Sequence, residues 1–335
     1  MKHYKFSALA KIVNRFKDRK ILVLGDLLLD QFIWGQVSRI SPEAPVPVVW
    51  VRNEGFMPGG ACNVANNIAK LGAKVSVVGV VGDDINGKVL KQQLEERSIN
   101  TDGVVIDPER PTILKTRVIA HHQQVVRIDR ENVDVISHKY MEKVYDYIKR
   151  NIDRYDGVII EDYGKGLITP SLLKKVVPLA KKSGKIVTVD PKESHFAYYK
   201  GVDAITPNHH EAAKAVGFSV SDENTKMKAG ARMLEKLKAK VILLTLGEEG
   251  MMVFEQGRKP HRIPTVAQEV FDVSGAGDTV IGVYTLGVVS GGSPEIAAHI
   301  ANCAAGIVVG KIGVAVVSEE ELLSRLKLEI ERVRV

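Results

Sequence analysis

The chain has 335 residues, 45% hydrophobic and 26% charged, enough apolar surface to build a core and too much for a disordered chain. Its 47 basic residues outnumber 40 acidic ones, a net charge of +7, but they are scattered rather than set in stripes with aromatics; an anionic small substrate explains the excess as well as nucleic acid would. The most apolar stretches, Val280 to Val289 and Ile300 to Gly310, are shorter than the roughly 20 residues of a bilayer span, and two cysteines, Cys62 and Cys303, build neither a disulfide framework nor a thiol metal site.

Phe6, Leu9, Val13 and Phe16 recur at helical spacing among Lys and Arg, which predicts an amphipathic helix within residues 1–20 and no signal peptide, hence a cytoplasmic setting. Ile21 to Leu24 opens a series of short strands continued by Val75 to Val81, Val158 to Ile160, Ile186 to Val189 and Val241 to Leu244. Unbroken apolar runs of this kind suit parallel strands covered on both faces. Helical patterns fall between them at Asn63 to Leu71, Lys88 to Arg97, Ser137 to Arg150, Ser171 to Lys182 and Asp222 to Ala239. Two further apolar helices, broken at Gly291-Gly292-Ser293-Pro294, fill Ala276 to Val309. One region departs from the βα rhythm. Phe32 to Arg52 carries Pro42, Pro45 and Pro47 and cannot be helical; with Ile113 to Val118 and Val125 to Ile128 it predicts a small β-sheet, such as a lid, over about 31–53 and 112–129. The expected organisation is one α/β domain over 21–335 that carries this lid.

Five motifs invite a chemical reading. Asp272-Val273-Ser274-Gly275-Ala276-Gly277-Asp278-Thr279 runs into an apolar helix, where glycines let backbone N–H groups approach an anion and Asp278 can accept a hydroxyl proton. Read alone, Asp278 serves equally well as a first-turn cap. Pro58-Gly59-Gly60-Ala61-Cys62-Asn63 also precedes a helix; Asn63 offers a polyol both donor and acceptor, though an ordinary Gly-rich turn fits too, and Cys62 reads as a packing residue. Asp26 and Asp30 follow the first strand, at the end where open α/β sheets bind ligands. Gly82 to Val89 imitates a phosphate-binding loop, but Val89 stands where a Ser or Thr must ligate Mg2+. Thr206-Pro207-Asn208-His209-His210-Glu211 predicts a helix with Thr206 as N-cap and Pro207 first, leaving Glu211 too late for a capping box and free, with Asn208, for a Mg2+ shell. The adjacent pairs His121-His122 and His209-His210 point their ring nitrogens apart and make poor metal sites.

Together, the Gly-Gly-x-x-Asn and Gly-Ala-Gly-Asp helix starts, with Thr-Pro-Asn-x-x-Glu between them, resemble the signatures of the ribokinase (PfkB) carbohydrate kinases over about residues 20 to 330. The resemblance implies a three-layer α/β/α sandwich with a β-sheet lid, ATP and Mg2+ as cofactors, and a homodimer formed through the lid. Gly25-Asp26-Leu27-Leu28-Leu29-Asp30, the lid run Ser38 to Val49, Asp162 to Gly166 and Asp190-Pro191-Lys192 are similar to the D-glycero-β-D-manno-heptose-7-phosphate kinases. Many of those are fused to a nucleotidylyltransferase carrying an H-x-G-H signature, which is absent here, so the expectation is the kinase part alone. By resemblance, Asp278 is the catalytic base and Gly275, Ala276 and Gly277 the anion hole. Asp26, Asp30, Gly59, Gly60 and Asn63 hold the sugar. Asn208, His209, His210 and Glu211 serve Mg-ATP, with Glu211 at the metal, Thr245 and Gly247 along the nucleotide and Asn302 near adenine. A distal sugar phosphate needs cationic donors, for which Arg39, Arg127, Lys165 and Lys192 are the candidates. Kinases of the same fold for ribose, fructose 6-phosphate or a nucleoside are the main alternative. A dinucleotide-dependent oxidoreductase is disfavoured, because Val280 takes the place of the third fingerprint glycine.

Overall fold

The computed structural model describes residues 4–121, 123–267, 269–311 and 313–332; His122, paired above with His121, lies outside them. In chain order the strands are β1 (Lys20–Gly25), β2 (Leu27–Ile40), β3 (Pro47–Gly60), β4 (Lys74–Gly82), β5 (Asn100–Asp107), β6 (Ile113–Ala120), β7 (Gln123–Arg130), β8 (Gly157–Glu161), β9 (Ile186–Asp190), β10 (Ala204–Ile205), β11 (Val241–Thr245), β12 (Met251–Glu255) and β13 (His261–Ile263). The helices are α1 (Phe6–Val13), α2 (Ala61–Lys70), α3 (Ile85–Glu95), α4 (His138–Asn151), α5 (Pro170–Lys182), α6 (His209–Val216), α7 (Glu223–Leu237), α8 (Ala276–Val289), α9 (Pro294–Val308) and α10 (Glu319–Arg332).

A nine-stranded sheet in the order β13-β12-β11-β10-β9-β8-β1-β4-β5 forms the body of the molecule. It is parallel from β5 to β11, and β12 and β13 close one edge in antiparallel register. Strand β1 explains the layering. Ile21 and Val23 join one apolar core with α1, α2, α3, α8, α9 and α10, while Leu22 and Leu24 join a second with α4, α5, α6 and α7. Side chains alternate across a strand, so an unbroken apolar run feeds both cores. Helix α8 is buried from Asp278 to Gly287, which is why its sequence is apolar on every side. The N-terminal helix is shorter than residues 1–20 and belongs to the first core, where Leu9, Val13 and Phe16 are fully buried. No helix among the described residues is long and apolar enough to cross a membrane.

The second sheet has the order β3-β2-β6-β7. Antiparallel pairs β2–β3 and β6–β7 are joined by parallel pairing of β2 with β6. Only Asp26 separates β2 from β1, so this sheet is rooted at the carboxyl end of the main sheet's β1. Its strands extend past the predicted bounds at their roots, because β2 and β3 begin pairing at Leu27 and Gly60. At the root β2 is buried, and its far half is largely exposed. The Gly82 to Val89 segment is used up structurally. Asp84 caps α3 by accepting from the Gly87 amide at 2.8 Å, and its other oxygen accepts from the Thr112 amide at 2.8 Å.

Candidate active site

The first turn of α8 faces the first turn of α2. Gly275 is the N-cap of α8 at φ 79°, left-handed geometry that glycine adopts without strain, and a Cβ there would lie 2.9 Å from Asn63 Nδ2. No side chain caps this helix, so its leading N–H groups and dipole are directed at the cleft. Asp278 is 6% exposed. Asn63 Nδ2 donates to its Oδ2 at 2.5 Å and the Tyr163 hydroxyl donates to its Oδ1 at 3.1 Å. Burial pushes its carboxyl up to about 6, against which these two donors work. Below it, Thr279 Oγ1 donates to Asn67 Oδ1 at 3.0 Å, locking α8 to α2. Gly59 and Gly60 complete the floor, where a Cβ on Gly59 would meet Asp30 Oδ2 at 2.4 Å.

The resulting cleft, about 90 Å³, is lined by Asp30, Gly59, Gly60, Asn63, Gly275 and Asp278 together with Lys115, Arg117 and Tyr163. Arg117 of β6 pairs with Asp30 of β2. On its other side Arg117 faces a wider cavity of about 830 Å³ between the lid residues Phe32, Trp34, Arg52 and His121 and the segment Phe271, Asp272 and Ser274. Sequence reasoning passed over Lys115, Arg117 and Tyr163. The first two lie in an alternating strand, where cations look like an ordinary solvated face, and nothing local marks them as facing a cleft.

A buried carboxylate group adjoins Asp278. Oxygens of Glu161 at the end of β8, Asp190 at the end of β9 and Asp278 lie within 4.8 Å of one another. Glu161 is fully buried, and no donor other than the neighbouring Asp190 carboxyl reaches its oxygens; burial, then Asp190 and Asp278, holds its carboxyl well above the usual range. Burial, with Glu211 nearby, pushes Asp190 up to about 8, although Thr206 Oγ1 donates to it at 2.6 Å. A cluster of three close carboxyls, one of them without a donor, fits a hard divalent cation, which would offset their mutual repulsion. Glu161 and Asp190, beside Asp278, are therefore the groups that suit Mg2+.

Several sequence-based placements change. Glu211 is not free: Asn208, rather than Thr206, is the N-cap of α6, and Glu211 is its N3 residue. Asn208 Oδ1 accepts from the His210 and Glu211 amides at 2.9 Å, and Glu211 Oε2 accepts from the Asn208 amide at 2.8 Å, a complete capping box. Counting from Thr206 put Glu211 two positions late. Asp26 is buried and spends Oδ2 on the amides of Tyr163 and Lys165, each at 3.0 Å, so it shapes the loop that carries Tyr163 while Asp30 faces the cleft. None of the four basic candidates lines the cleft or the wider cavity. Arg39 sits far along β2, exposed and opposite Val48; Arg127 is exposed on β7 and pairs with Asp129; Lys165 donates to Glu131 at 2.6 Å; Lys192 packs beside Gly164.

The proposed nucleotide residues lie around the ends of β11 and α6. Asn208 bridges to Thr245, whose amide donates to Pro207 O at 2.9 Å. Gly247, at φ 61°, has open space where a Cβ would be. His209 and His210, with ring centroids 3.9 Å apart, line a cavity of about 340 Å³ with Leu246, Lys226 and Glu249. Asn302 on α9 donates to Pro264 O at 2.8 Å. Neither this cavity nor Asn302 is part of the cleft at Asp278.

Comparison with known proteins fits this geometry. The model of the pfkB family carbohydrate kinases matches residues 18–321. The chain is 45% identical over 315 residues to the Bifunctional protein HldE of Desulfatibacillum aliphaticivorans, covering 94% of this chain and 64% of that one. It is 46% identical over 305 residues to the protein of the same name from Geobacter sulfurreducens, covering 91% and 62%. The chain thus spans less than two thirds of the length of these relatives. Among solved structures, Arabidopsis thaliana ribokinase complexed with ribose and ATP superposes with a TM-score of 0.73 at 22% identity, covering 92% of this chain and 99% of that one. Escherichia coli phosphofructokinase-2 in complex with potassium gives 0.77 at 18%, with the same coverage. These two share the fold.

Proposed function

The chain belongs to the pfkB family of carbohydrate kinases and is a phosphotransferase, and we propose that it uses ATP to phosphorylate the anomeric hydroxyl of D-glycero-D-manno-heptose 7-phosphate, giving the 1,7-bisphosphate used in ADP-heptose and lipopolysaccharide core synthesis. The observation that carries the chemistry is Asp278, oriented by Asn63 and Tyr163 at the uncapped start of α8. Asp278 takes the hydroxyl proton as the oxygen attacks, and the Gly275 to Gly277 amides stabilise charge on the transferred phosphoryl group. Positioning and charge stabilisation suffice, with no covalent intermediate. Glu161 and Asp190 would hold Mg2+, with the Glu211 charge nearby, and the ion when bound supplies positive charge at the phosphate oxygens.

The choice of sugar rests on the lid, where Ser38 to Val49 is similar to heptose-7-phosphate kinases. Lys115 and Arg117, at the junction of the cleft and the wider cavity, replace the four earlier candidates as ligands of the 7-phosphate, with Arg52 further out. Exposed Trp34, Ile40, Trp50, Val51 and Ile128 on the lid support a homodimer through it. A cytoplasmic setting follows from the ATP consumed. The test is a coupled ADP-release assay across heptose 7-phosphate, unphosphorylated heptose, ribose, fructose 6-phosphate and nucleosides. Heptose 7-phosphate is expected to give the highest kcat/KM; equal or better turnover of any other acceptor refutes the substrate assignment.

A further inference from the structure

A second group of metal-ligating side chains stands on different elements from the carboxylate cleft. His261 begins edge strand β13; Glu295 and His299 lie four residues apart on one face of α9. His261 Nε2 is 3.2 Å from His299 Nε2 and 3.3 Å from Glu295 Oε1, and the three ligand atoms all fall within 4.8 Å of one another. A tetrahedral ion with bonds of about 2.0–2.1 Å spaces its ligand atoms about 3.3 Å apart, which matches both distances from His261 Nε2.

Hydrogen bonding alone serves these three atoms poorly. His261 Nε2 carries at most one proton, yet it faces both a carboxylate oxygen and a second imidazole nitrogen. If that proton goes to Glu295, His299 is left unpaired. If His299 donates instead, the His261 lone pair faces the carboxylate. One cation satisfies all three. His299 is 3% exposed, so few water molecules can take the place of a missing partner at its Nε2. Tyr4 closes the site from the N-terminal side: its ring meets His299 edge-on at 5.6 Å and its hydroxyl hydrogen-bonds Glu295, an outer contact of the sort that orients ligating carboxylates.

We propose that His261, Glu295 and His299 form a binding site for Zn2+ or a similar borderline divalent ion, pinning edge strand β13 to α9. Two imidazoles and one carboxylate select such an ion over Mg2+ or Ca2+, which prefer all-oxygen shells. The pin lies one helical turn from Asn302, whose contact with Pro264 is the next link between the same two elements.

The test uses the full chain freed of metal by a chelator and titrated with Zn2+ alone or Co2+ alone, in excess Mg2+ to occupy the carboxylate cluster. Expected results are one tightly bound equivalent of Zn2+, a raised Tm, and the intense visible bands of tetrahedral Co2+. His261→Ala and Glu295→Gln, both at half-exposed positions, should each weaken Zn2+ binding more than ~10-fold and abolish the bands. Asp190→Asn should leave both intact. The proposal is overturned if Zn2+ fails to saturate under excess Mg2+, if both ligand variants bind as the unmodified protein does, or if Asp190→Asn is the variant that loses the ion. None of these results depends on which sugar the kinase uses.

Discussion

Strand β8 of the main sheet is buried at every residue, and strand β7 of the lid is exposed at every residue, yet their two sheets meet at the same cleft. The main sheet holds the acids. Glu161 and, on α8, Asp278 are buried and Asp190 is half-buried between them, where loss of water and neighbouring acids raise their proton affinity. The lid supplies Lys115 and Arg117, cations on a sheet with one open face that keep contact with solvent. The difference teaches a division of labour. Acids in dry surroundings hold their protons more tightly, whereas the lid cations stay charged because Asp30, Asp129 and Glu131 pair with them.

Asp278→Asn tests the dry side most severely. It should lower kcat by ~10²–10⁴ with KM for ATP and Tm little changed, since the base is lost while the helix-start amides remain. Near-unchanged turnover in initial-rate assays would remove Asp278 from its role. Core packing comes next. Leu24→Ala in β1 should destabilise by about 2–5 kcal/mol in chemical denaturation, and Val126→Ala in the lid by no more than about 0.5 kcal/mol. Equal losses would break the comparison. On the open side, Arg117→Ala should raise KM for heptose 7-phosphate ~10–100-fold with KM for ATP unchanged. An unchanged preference for the phosphorylated over the unphosphorylated sugar would shift phosphate recognition away from Arg117.

A further effect is in pH dependence. Asp278 must be deprotonated to act, so kcat/KM should fall below about pH 6. The same raised carboxyls act on stability in the opposite sense. A folded-state value above the unfolded one means that the native protein holds more protons, so the contribution is present at low pH and is lost as pH rises. For Asp278 that loss runs from about 4 to about 6, and for Asp190 up to about 8. In a chelator Tm should therefore decline across that window, and Mg2+ should reduce the decline by compensating the ionised acids. A Tm that rises through the same window with no divalent ion present would contradict dry placement of Asp190.

Much of the fold was legible because hydrophobic runs on a doubly covered sheet are unbroken and easy to read. Val75 to Val81 and Val241 to Leu244 fall within β4 and β11, and the Gly291 to Pro294 break falls between α8 and α9. Elements with mixed patterns were missed. Strand β5 alternates and carries Asp102 and Gly103; β10 has two residues; β13 is a short edge strand, and surface charge dilutes the pattern of α10. The cleft's glycines, Asn63 and Asp278 were legible because backbone approach at a helix start demands those residue types locally.

What the sequence by itself determined is therefore local. It set two glycine-led helix starts, a run of parallel strands, and a proline-rich segment that could not be helical. Tertiary structure decided which of the chemically able side chains converge. It turned Asp26 inward to the Tyr163 and Lys165 amides and Asp30 toward the cleft, although both follow the same strand. It closed Glu211 into a capping box with Asn208, and gathered Glu161 and Asp190 around Asp278. It set Lys115 and Arg117 in the lining of the cleft and left Arg39, Arg127, Lys165 and Lys192 outside it. The physical reason is range. A turn or a cap is settled within a few residues by backbone geometry and hydrogen bonds, whereas convergence across strands depends on register, and a one-residue shift in register sends every side chain to the opposite face.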